Sequence, residues 1–290
     1  MKNVLIAFLL ISLHTAAVNA INWPSENGIL VRNFGWNDKG RPVLGMVFSG
    51  DTEVMTAEKG EVIFSRKTND TASRLPSPFG SWAAVDQGDG LISIYSRFDD
   101  EVNFINQNAG LKQIEKSEKI AVSGISGWTR QKGFYFIVYD RRERRWINPA
   151  MIITPQREIR PAQINSISLQ NEQGLDMGQG RPFTQGRYMV SVAASIPVTG
   201  QRDIRLAPQR IVCSINGAEA GSLNFEAVSA RDGILMVYRN GLVPVKQVYS
   251  PFPAYQAAEV FLNRGQVNLE VIVQDIAGNS YSSVNRIIVN

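Results

Sequence analysis

The stretch "GFYFIVYDRRERRWINP" (residues 133–149) decides the fold class of this chain. It contains an aromatic and β-branched run, a charged turn, a second short apolar run and an Asn-Pro exit. Aromatic and β-branched runs on either side of a polar turn are typical of a β-hairpin. The sequence therefore predicts two antiparallel strands around the turn "RRERR" (141–145).

The same alternation of strand and turn patterns continues on both sides of this hairpin. Before it lie "KGEVIFSRK" (59–67) and a second hairpin, "SWAAVDQGDGLISIYSRF" (81–98); after it come "RYMVSVAAS" (187–195), "RIVCSI" (210–215), "ILMVYR" (234–239) and "VNLEVIVQD" (267–275). The pairs Asn216-Gly217 and Asn240-Gly241 predict tight turns. Only residues 254–262 favour a helix. We therefore predict an all-β protein.

Three prolines mark a boundary inside the chain. Pro149, Pro155 and Pro161 interrupt regular structure, and the strands that follow have the spacing of a β-sandwich. With 290 residues, 44% hydrophobic and 19% charged, the chain is long enough for two ordinary domains. We predict an antiparallel β domain at 22–154 and an Ig-like β-sandwich at 155–290.

The first residues have the pattern of a secretory signal peptide. Lys2 precedes an apolar run of about ten residues, which is too short to span a bilayer, and Val18 and Ala20 suit a cleavage site. We predict removal of residues 1–20 and export to the periplasm or the cell exterior. The formal charge would fall from 30 − 26 = +4 to 29 − 26 = +3, and His14, the only histidine, would be lost.

Several kinds of chemistry and partner are disfavoured by the sequence. Cys213, the only cysteine, alternates with apolar residues and is expected to be buried. The pattern lacks a nucleophile elbow, a phosphate loop and a membrane span. The turn 141–145 is expected to be solvated, with an anionic wall polymer or membrane surface as the alternative contact. Aromatic residues are not interleaved with it, so nucleic acid is not an expected partner.

Five segments, taken in order, carry a family resemblance. They are "RNFGW" (32–36), "GMVFSGDTEVMTAEKGEVIFS" (45–65), "VDQGDGLISIYSRF" (85–98), "IAVSGISGW" (120–128) and the hairpin at 133–149. Together they resemble the zinc endopeptidases of the lysostaphin/LytM type, metallopeptidase family twenty-three. The resemblance implies a LytM-type β domain acting on cell-wall peptidoglycan, followed by the Ig-like domain.

The residues that the family uses for chemistry are replaced in this chain. The resemblance places the zinc ligands at Val43, Val47 and Tyr135, and the proton-handling residues at Arg97 and Gly133. Zinc binds imidazole, thiolate or carboxylate, and valine offers no lone pair. Arginine only donates hydrogen bonds and stays cationic. We therefore expect no catalytic residue, no metal and no cofactor.

The replaced positions still predict a groove. Strand alternation places Tyr95 and Arg97 on one face, and Gly133 and Tyr135 on one face, where the family has its substrate cleft. Candidate binding residues are Arg97, Tyr95, Tyr135 and Trp128. The alternative is a collapsed cleft in which Arg97 forms only a salt bridge.

The leading hypothesis is an exported, non-catalytic peptidase homologue that binds peptidoglycan or regulates a separate wall hydrolase. One alternative is an active metalloendopeptidase with an atypical metal site that recruits Asp86, Asp89, Asp99 or Asp100, although these carboxylates lie at or near turns, where solvation is the usual role. A second is a structural or adhesive envelope protein that acts through the Ig-like domain. Residues 99–101, three acids in a row, also resemble a paired-carboxylate glycosidase site, although a solvated turn explains them more simply.

Overall fold

The computed structural model describes residues 20–68, 76–103, 112–153, 161–174, 176–177, 182–251 and 254–290. Within these ranges the regular elements are β-strands and two short 3-10 helices, which confirms the all-β prediction. No helix among the described residues is long and apolar enough to cross a membrane. The predicted signal peptide falls on residues 1–19, outside the described ranges, and on Ala20.

Ten strands and one 3-10 helix make up the N-terminal half. They are β1 (Ile29–Arg32), β2 (Met46–Ser49), β3 (Glu53–Met55), β4 (Gly60–Arg66), β5 (Ser81–Asp86), β6 (Leu91–Asn103), β7 (Lys112–Ile114), β8 (Lys119–Ser123), β9 (Gly133–Asp140), β10 (Arg145–Ile147) and η1 (Pro149–Met151). Both predicted hairpins are confirmed, because β5 pairs antiparallel with β6 and β9 with β10.

Eleven further strands and a second 3-10 helix follow. They are β11 (Gln163–Asn171), β12 (Asp176–Met177), β13 (Gly186–Val198), β14 (Gln201–Leu206), β15 (Arg210–Ile215), β16 (Ala218–Arg231), β17 (Ile234–Arg239), β18 (Leu242–Pro244), η2 (Val245–Gln247), β19 (Tyr255–Leu262), β20 (Gly265–Gln274) and β21 (Ser280–Val289). Asn216 and Asn240, at φ 50° and 53°, form the predicted tight turns.

The helix predicted at 254–262 is wrong. This segment is β19, which pairs antiparallel with β13 over seven residues. Its composition includes good helix formers, yet Ala258, Val260 and Leu262 are buried at every second position against the sandwich core. Burial on a period of two in a paired strand outweighs the weak intrinsic preference for helix.

In the N-terminal half the sheet β4-β5-β6-β9-β2-β1 has one face on a dense core. Phe48 and Phe134 stack with ring centroids 4.5 Å apart, and Tyr95 and Phe136 lie 5.1 Å apart. These side chains are almost fully buried. The opposite face of the same sheet is therefore the face that remains for the predicted groove.

In the C-terminal half two sheets pack against one another. The sheet β12-β11-β13-β14, joined by β19, faces the strands β15, β16, β20 and β21 across a shared core. Cys213 lies in that core as predicted, and burial raises the pKa of its thiol to about 12. A packed pair of sheets with buried inner faces is a β-sandwich.

The two halves share a sheet. β10 pairs with β9 on one side and with β16 on the other, through the partners Arg145–Ser229, Trp146–Val228 and Ile147–Ala227. The strands of the N-terminal sheet therefore continue into the sandwich without a break. The predicted boundary between 154 and 155 lies in residues 154–160, outside the described ranges.

The segment 33–44, between β1 and β2, inserts into the sandwich. Phe34 is 1% exposed and belongs to the C-terminal core. The Asn33 amide donates to the Ala207 carbonyl at 2.9 Å and accepts from the Ala207 N–H at 2.7 Å. The stretch "RNFGW", which resembles an opening turn of the peptidase family, is thus an attachment between the two halves.

Candidate functional site

Arg97 stands at a β-bulge on the edge of the groove face. The ladder between β5 and β6 pairs Trp82 with Ser96 and Ser81 with Phe98, so Arg97 has no cross-strand partner in it. Its φ is 70°, in the left-handed region that non-glycine residues rarely adopt. The backbone is fixed by two bonds, from the Arg97 N–H to the Phe79 carbonyl and from the Gly124 N–H to the Arg97 carbonyl. The bulge therefore redirects this one side chain.

The prediction that Tyr95 lines the groove is wrong, and the bulge is the reason. Tyr95 is fully buried on the core face, and its hydroxyl accepts from the Ala57 N–H at 2.8 Å. Burial raises the pKa of its phenol to about 12. Regular alternation would put Arg97 on the face of Tyr95, but the extra residue turns Arg97 to the opposite face.

The guanidinium of Arg97 lies over the ring of Tyr135, with 5.3 Å between its central carbon and the ring centroid. Tyr135 pairs with Ser96 on β6 and with Val47 on β2, so these three side chains share the groove face. Two of the predicted groove residues, Arg97 and Tyr135, are therefore in contact. Ser96 lies on the same face of the sheet and is 0% exposed, so this part of the face is not open to solvent.

The positions that the resemblance assigns to zinc lie close together. Val47 is the direct cross-strand partner of Tyr135. The Tyr135 hydroxyl accepts a hydrogen bond from the Leu44 N–H at 2.8 Å, next to Val43 in the chain. Val43 is 8% exposed, so its isopropyl group is packed rather than open to a ligand.

These side chains do not fit a zinc ion. Two isopropyl groups offer no lone pair, and the phenol oxygen already accepts from a backbone N–H. Burial raises the pKa of Tyr135 to about 12, so the phenol stays neutral at physiological pH. Among the described residues no group of three His, Cys, Asp or Glu side chains is placed to hold a metal ion.

Arg97 is a partly buried cation without a carboxylate partner in the described part of the chain. Burial lowers the pKa of Arg97, Tyr135 raises it, Arg32 lowers it, and the carboxylate of Asp38 raises it. Arg32, on β1 and paired with Val47 in register, is itself held by Asp38 at 3.0 Å. Within the described residues Arg97 forms no salt bridge, contrary to that part of the collapsed-cleft alternative, and a phenol ring faces the guanidinium. The 0% exposure of Ser96 and the 8% exposure of Val43 agree with the closed face that the same alternative predicted.

Trp128 lies on the turn that follows Gly124. Its backbone N–H donates to the Pro78 carbonyl at 3.2 Å, while its side chain is 77% exposed. Ile125, in the same turn, is 66% exposed. The turn thus carries two large apolar side chains beside the strand end that bears Arg97. No ring contact joins Trp128 to Tyr135 among the described residues.

The other charged candidates have structural partners. Asp99 accepts from the Glu101 N–H at 2.9 Å, and Asp100 accepts from the Ser81 hydroxyl. In the turn 141–145, Arg141 pairs with Asp86 at 3.3 Å and Arg142 with Asp89 at 3.7 Å. These contacts favour the solvated turn over a dedicated anionic surface contact.

Sequence reasoning missed two parts of this site. The hydrogen bond to the Tyr135 hydroxyl comes from the backbone N–H of Leu44, so no side chain in the sequence indicates it. Arg32 was visible in "RNFGW", and its place one strand from Val47 depends on the pairing of β1 with β2. The strand register pairs Arg32 with Val47, Val47 with Tyr135 and Tyr135 with Ser96, and the sequence alone does not give this register.

A protein-family model matches residues 161–290. No curated protein matches the sequence. The chain is similar to the solved catalytic domain of the prophage-encoded M23 protein EnpA from Enterococcus faecalis, with 12% identity, a TM-score of 0.35 and coverage of 43% of this chain and 90% of that one. It is also similar to lysostaphin from Staphylococcus simulans, with 12% identity, a TM-score of 0.35 and coverage of 89% and 95%.

A third similarity is to a chain of the SpoIIQ–SpoIIIAH pore-forming complex. The identity is 15% and the TM-score is 0.37, with coverage of 47% of this chain and 92% of that one. At these values the comparisons do not assign the chain to a family.

Proposed function

We propose that this protein is an exported, non-catalytic peptidase homologue whose N-terminal sheet binds a carboxylate ligand. The ligand is a cell-wall stem peptide or an acidic loop of a wall hydrolase that the protein regulates. One observation carries the proposal: the guanidinium of Arg97 lies over the ring of Tyr135, a position that the resemblance assigns to a zinc ligand, and forms no salt bridge among the described residues.

The chemistry of Arg97 favours a carboxylate. Its planar fork pairs with both oxygens of a carboxylate through two parallel hydrogen bonds. A cation that is partly removed from water gains more from such a bond than an exposed one does. Trp128, 77% exposed on the turn after Gly124, would add an apolar contact to the bound peptide, whereas Arg32 is already paired with Asp38.

A stem peptide with a free C-terminal carboxylate, compared with the same peptide as its amide, tests the proposal. We expect the acid to bind at least about ten-fold more tightly, since a charge-assisted hydrogen bond contributes about 1.5–3 kcal/mol. Arg97→Ala should abolish this preference. Arg142→Ala, at a turn whose cation pairs with Asp89, is the matched control and should keep it.

The second arm of the experiment distinguishes the two ligand sources. Cross-linking in the native cell from a photoreactive residue at position 128 should capture either wall peptide or a hydrolase loop. Equal binding of the acid and the amide by wild type, together with no capture that depends on Arg97, would remove the N-terminal sheet as the binding surface.

Export is the second part of the proposal. The Val18-x-Ala20 pattern supports cleavage that leaves Ile21 as the first residue. The intact mass of protein recovered from the cell envelope should correspond to residues 21–290. A mass that includes residues 1–20, or a lipid adduct, would contradict this part.

A further inference from the structure

A strip of aromatic side chains lies on the groove face of the N-terminal sheet. Trp82, on β5, pairs in register with Ser96, and Ser96 pairs with Tyr135, so these three side chains share one face. The ring of Phe64 stacks on Trp82 with centroids 4.5 Å apart, and the ring of Phe79 lies 6.1 Å from that of Trp82. We call Phe64, Trp82 and Phe79 the aromatic strip.

The strip lies beside the point where the backbone of Arg97 is anchored. The Arg97 N–H donates to the Phe79 carbonyl at 2.9 Å, and Ser96, the preceding residue, faces Trp82. Adjacent strands lie about 4.8 Å apart, so Trp82 and Tyr135 each stand one strand spacing from Ser96, on opposite sides of it. A ligand residue over β6 can therefore contact the aromatic strip on one side and the guanidinium above Tyr135 on the other.

The strip and its surroundings expose apolar surface. Phe64 is 46% exposed and its neighbour Ile63 is 39% exposed, at a register shift in β4. Trp128, 77% exposed, lies on a turn whose backbone bonds to the Pro78 carbonyl, next to Phe79 in the chain. Several large apolar side chains that stay exposed close together mark a surface that contacts a ligand or partner.

The neighbouring charge decides what this surface accepts. Arg97 forms no salt bridge among the described residues, so a matching ligand brings an anion as well as an apolar group. A second copy of this chain is disfavoured, because a two-fold contact through the strip would bring two Arg97 guanidinium groups together. An internal acidic side chain supplies the anion without an apolar group. The C-terminal residue of a peptide supplies both, a carboxylate and a side chain.

We propose that the aromatic strip binds the apolar side chain of a C-terminal residue whose carboxylate pairs with Arg97. This inference rests on the proposed function, because it takes Arg97 as the carboxylate site. It adds a preference that Arg97 alone does not give. A large apolar C-terminal residue binds more tightly than glycine, since its contact with the strip removes apolar surface from water. The site therefore selects a chain terminus over an acidic loop.

Four peptides with an N-terminal fluorophore test the inference by fluorescence anisotropy on the full chain. They are Gly-Gly-Phe and Gly-Gly-Gly, each as the free acid and as the amide. We expect wild type to bind the Gly-Gly-Phe acid at least about ten-fold more tightly than the Gly-Gly-Gly acid, as burial of an aromatic side chain implies.

Substitutions in the strip should lower this ratio and keep the preference for the acid over the amide. Phe64→Ser and Trp82→Ala should each lower it at least about three-fold. Phe64 is exposed, so Phe64→Ser decides the matter if Trp82→Ala fails to fold. Phe261→Ser is the matched control and should leave the ratio unchanged, because Phe261 is 50% exposed on β19 in the C-terminal half.

The outcomes separate this inference from the proposed function. Loss of the acid preference in Arg97→Ala, with the preference for phenylalanine kept, would support both. Equal binding of the two acids by wild type, each still favoured over its amide, would overturn this inference and leave the carboxylate site in place. Lack of an acid preference with either peptide would overturn both. A concentration-dependent dimer that Phe64→Ser abolishes in sedimentation would place a second copy on the strip and overturn the inference.

Discussion

The Arg97 site and the inserted segment 33–44 differ in how their polar groups are paired. In the segment, the Gly35 carbonyl accepts from the hydroxyls of Tyr249 and Tyr255, and the Asn37 amide donates to the carbonyls of Ser250 and Ala254. At the other site, Arg97 faces an aromatic ring and has no carboxylate within ion-pair distance among the described residues.

The contrast distinguishes polar groups that hold the fold together from a polar group that is left for a ligand. Where every polar group is paired within the chain, the pairs hold the two halves together and removing one costs stability. Where a cation is partly buried and incompletely paired, its removal costs little stability, and the group remains free for a ligand. The two regions meet at Leu44, which ends the inserted segment and holds the Tyr135 hydroxyl.

The largest effect on stability is expected for Gly35→Ala. Gly35 has φ 80°, and a Cβ there would lie 2.4 Å from a ring carbon of Phe225 in the sandwich core. Left-handed strain and overpacking together should lower the free energy of unfolding by about 3–5 kcal/mol. Urea denaturation measures the loss.

Gly217→Ala is the matched control for this prediction. Gly217 has nearly the same φ, 83°, but a Cβ there meets nothing within 4 Å. Strain alone should cost about 1–2 kcal/mol. Equal losses for the two variants would show that segment 33–44 does not press against the sandwich.

A smaller loss is expected for Asn33→Ala. This change removes both hydrogen bonds to the backbone of Ala207 and leaves two part-buried groups without their partner. The free energy of unfolding should fall by about 2–4 kcal/mol in urea denaturation. Asn27→Ala, at an exposed position, should change it by less than about 0.5 kcal/mol. A neutral Asn33→Ala would contradict the view of this segment as a clamp.

Sequence reasoning recovered the regular part of this molecule and missed its irregularities. Alternating apolar residues in β6 and β9 predicted the strands and the two hairpins correctly. Tyr95 was misplaced because a bulge depends on the partner strand and on the positive φ of Arg97, neither of which alternation encodes. The strand β19 was mistaken for a helix because its burial is decided by β13, about seventy positions earlier in the chain.

The candidate site was predictable only in part for the same reason. The resemblance can be drawn from the sequence, and it assigns Val43, Val47 and Tyr135 to the zinc-ligand positions as an expectation. The stacking of Arg97 on Tyr135 and the capping of Tyr135 by Leu44 require the register of three strands and the path of segment 33–44. Contacts with the C-terminal half join residues far apart in sequence, which local patterns do not report.

An intermediate effect is expected at alkaline pH from Tyr95 and Tyr135. Burial raises the pKa of both phenols from the ordinary value of 10.0 to about 12 in the folded chain. The stability that depends on the protonated phenols is therefore complete below pH 10 and is lost as pH rises towards 12. Each tyrosine should contribute a loss of about 1.4 kcal/mol per pH unit in that window.

Urea denaturation at pH 9, 10 and 11 checks this prediction with Tyr95→Phe and Tyr135→Phe. Each variant should lose stability less steeply with pH than wild type, because it lacks one phenol that must stay protonated. An unchanged slope in Tyr135→Phe would mean that the phenol is open to solvent, so that Arg97 is not stacked on a buried ring.

The smallest effect on stability is expected for Arg97→Ala. The variant loses a cation–π contact that stabilises the fold by about 0.5–1 kcal/mol. It also no longer buries a charge, which removes an unfavourable contribution of opposite sign. Its thermal unfolding should therefore stay close to that of wild type and of Arg142→Ala, while its preference for a peptide carboxylate disappears. A loss of stability as large as that of Asn33→Ala would make Arg97 a structural residue.

The zinc content of the full chain tests the central claim most directly. Wild type is expressed with zinc, dialysed against metal-free buffer and examined by elemental analysis and by incubation with wall cross-link peptides. Because Val43, Val47 and Tyr135 supply no ligand set for zinc, we expect no stoichiometric zinc and no peptide cleavage. One tightly retained zinc ion per chain, with cleavage that a chelator stops, would contradict the account and identify an active peptidase with an atypical metal site.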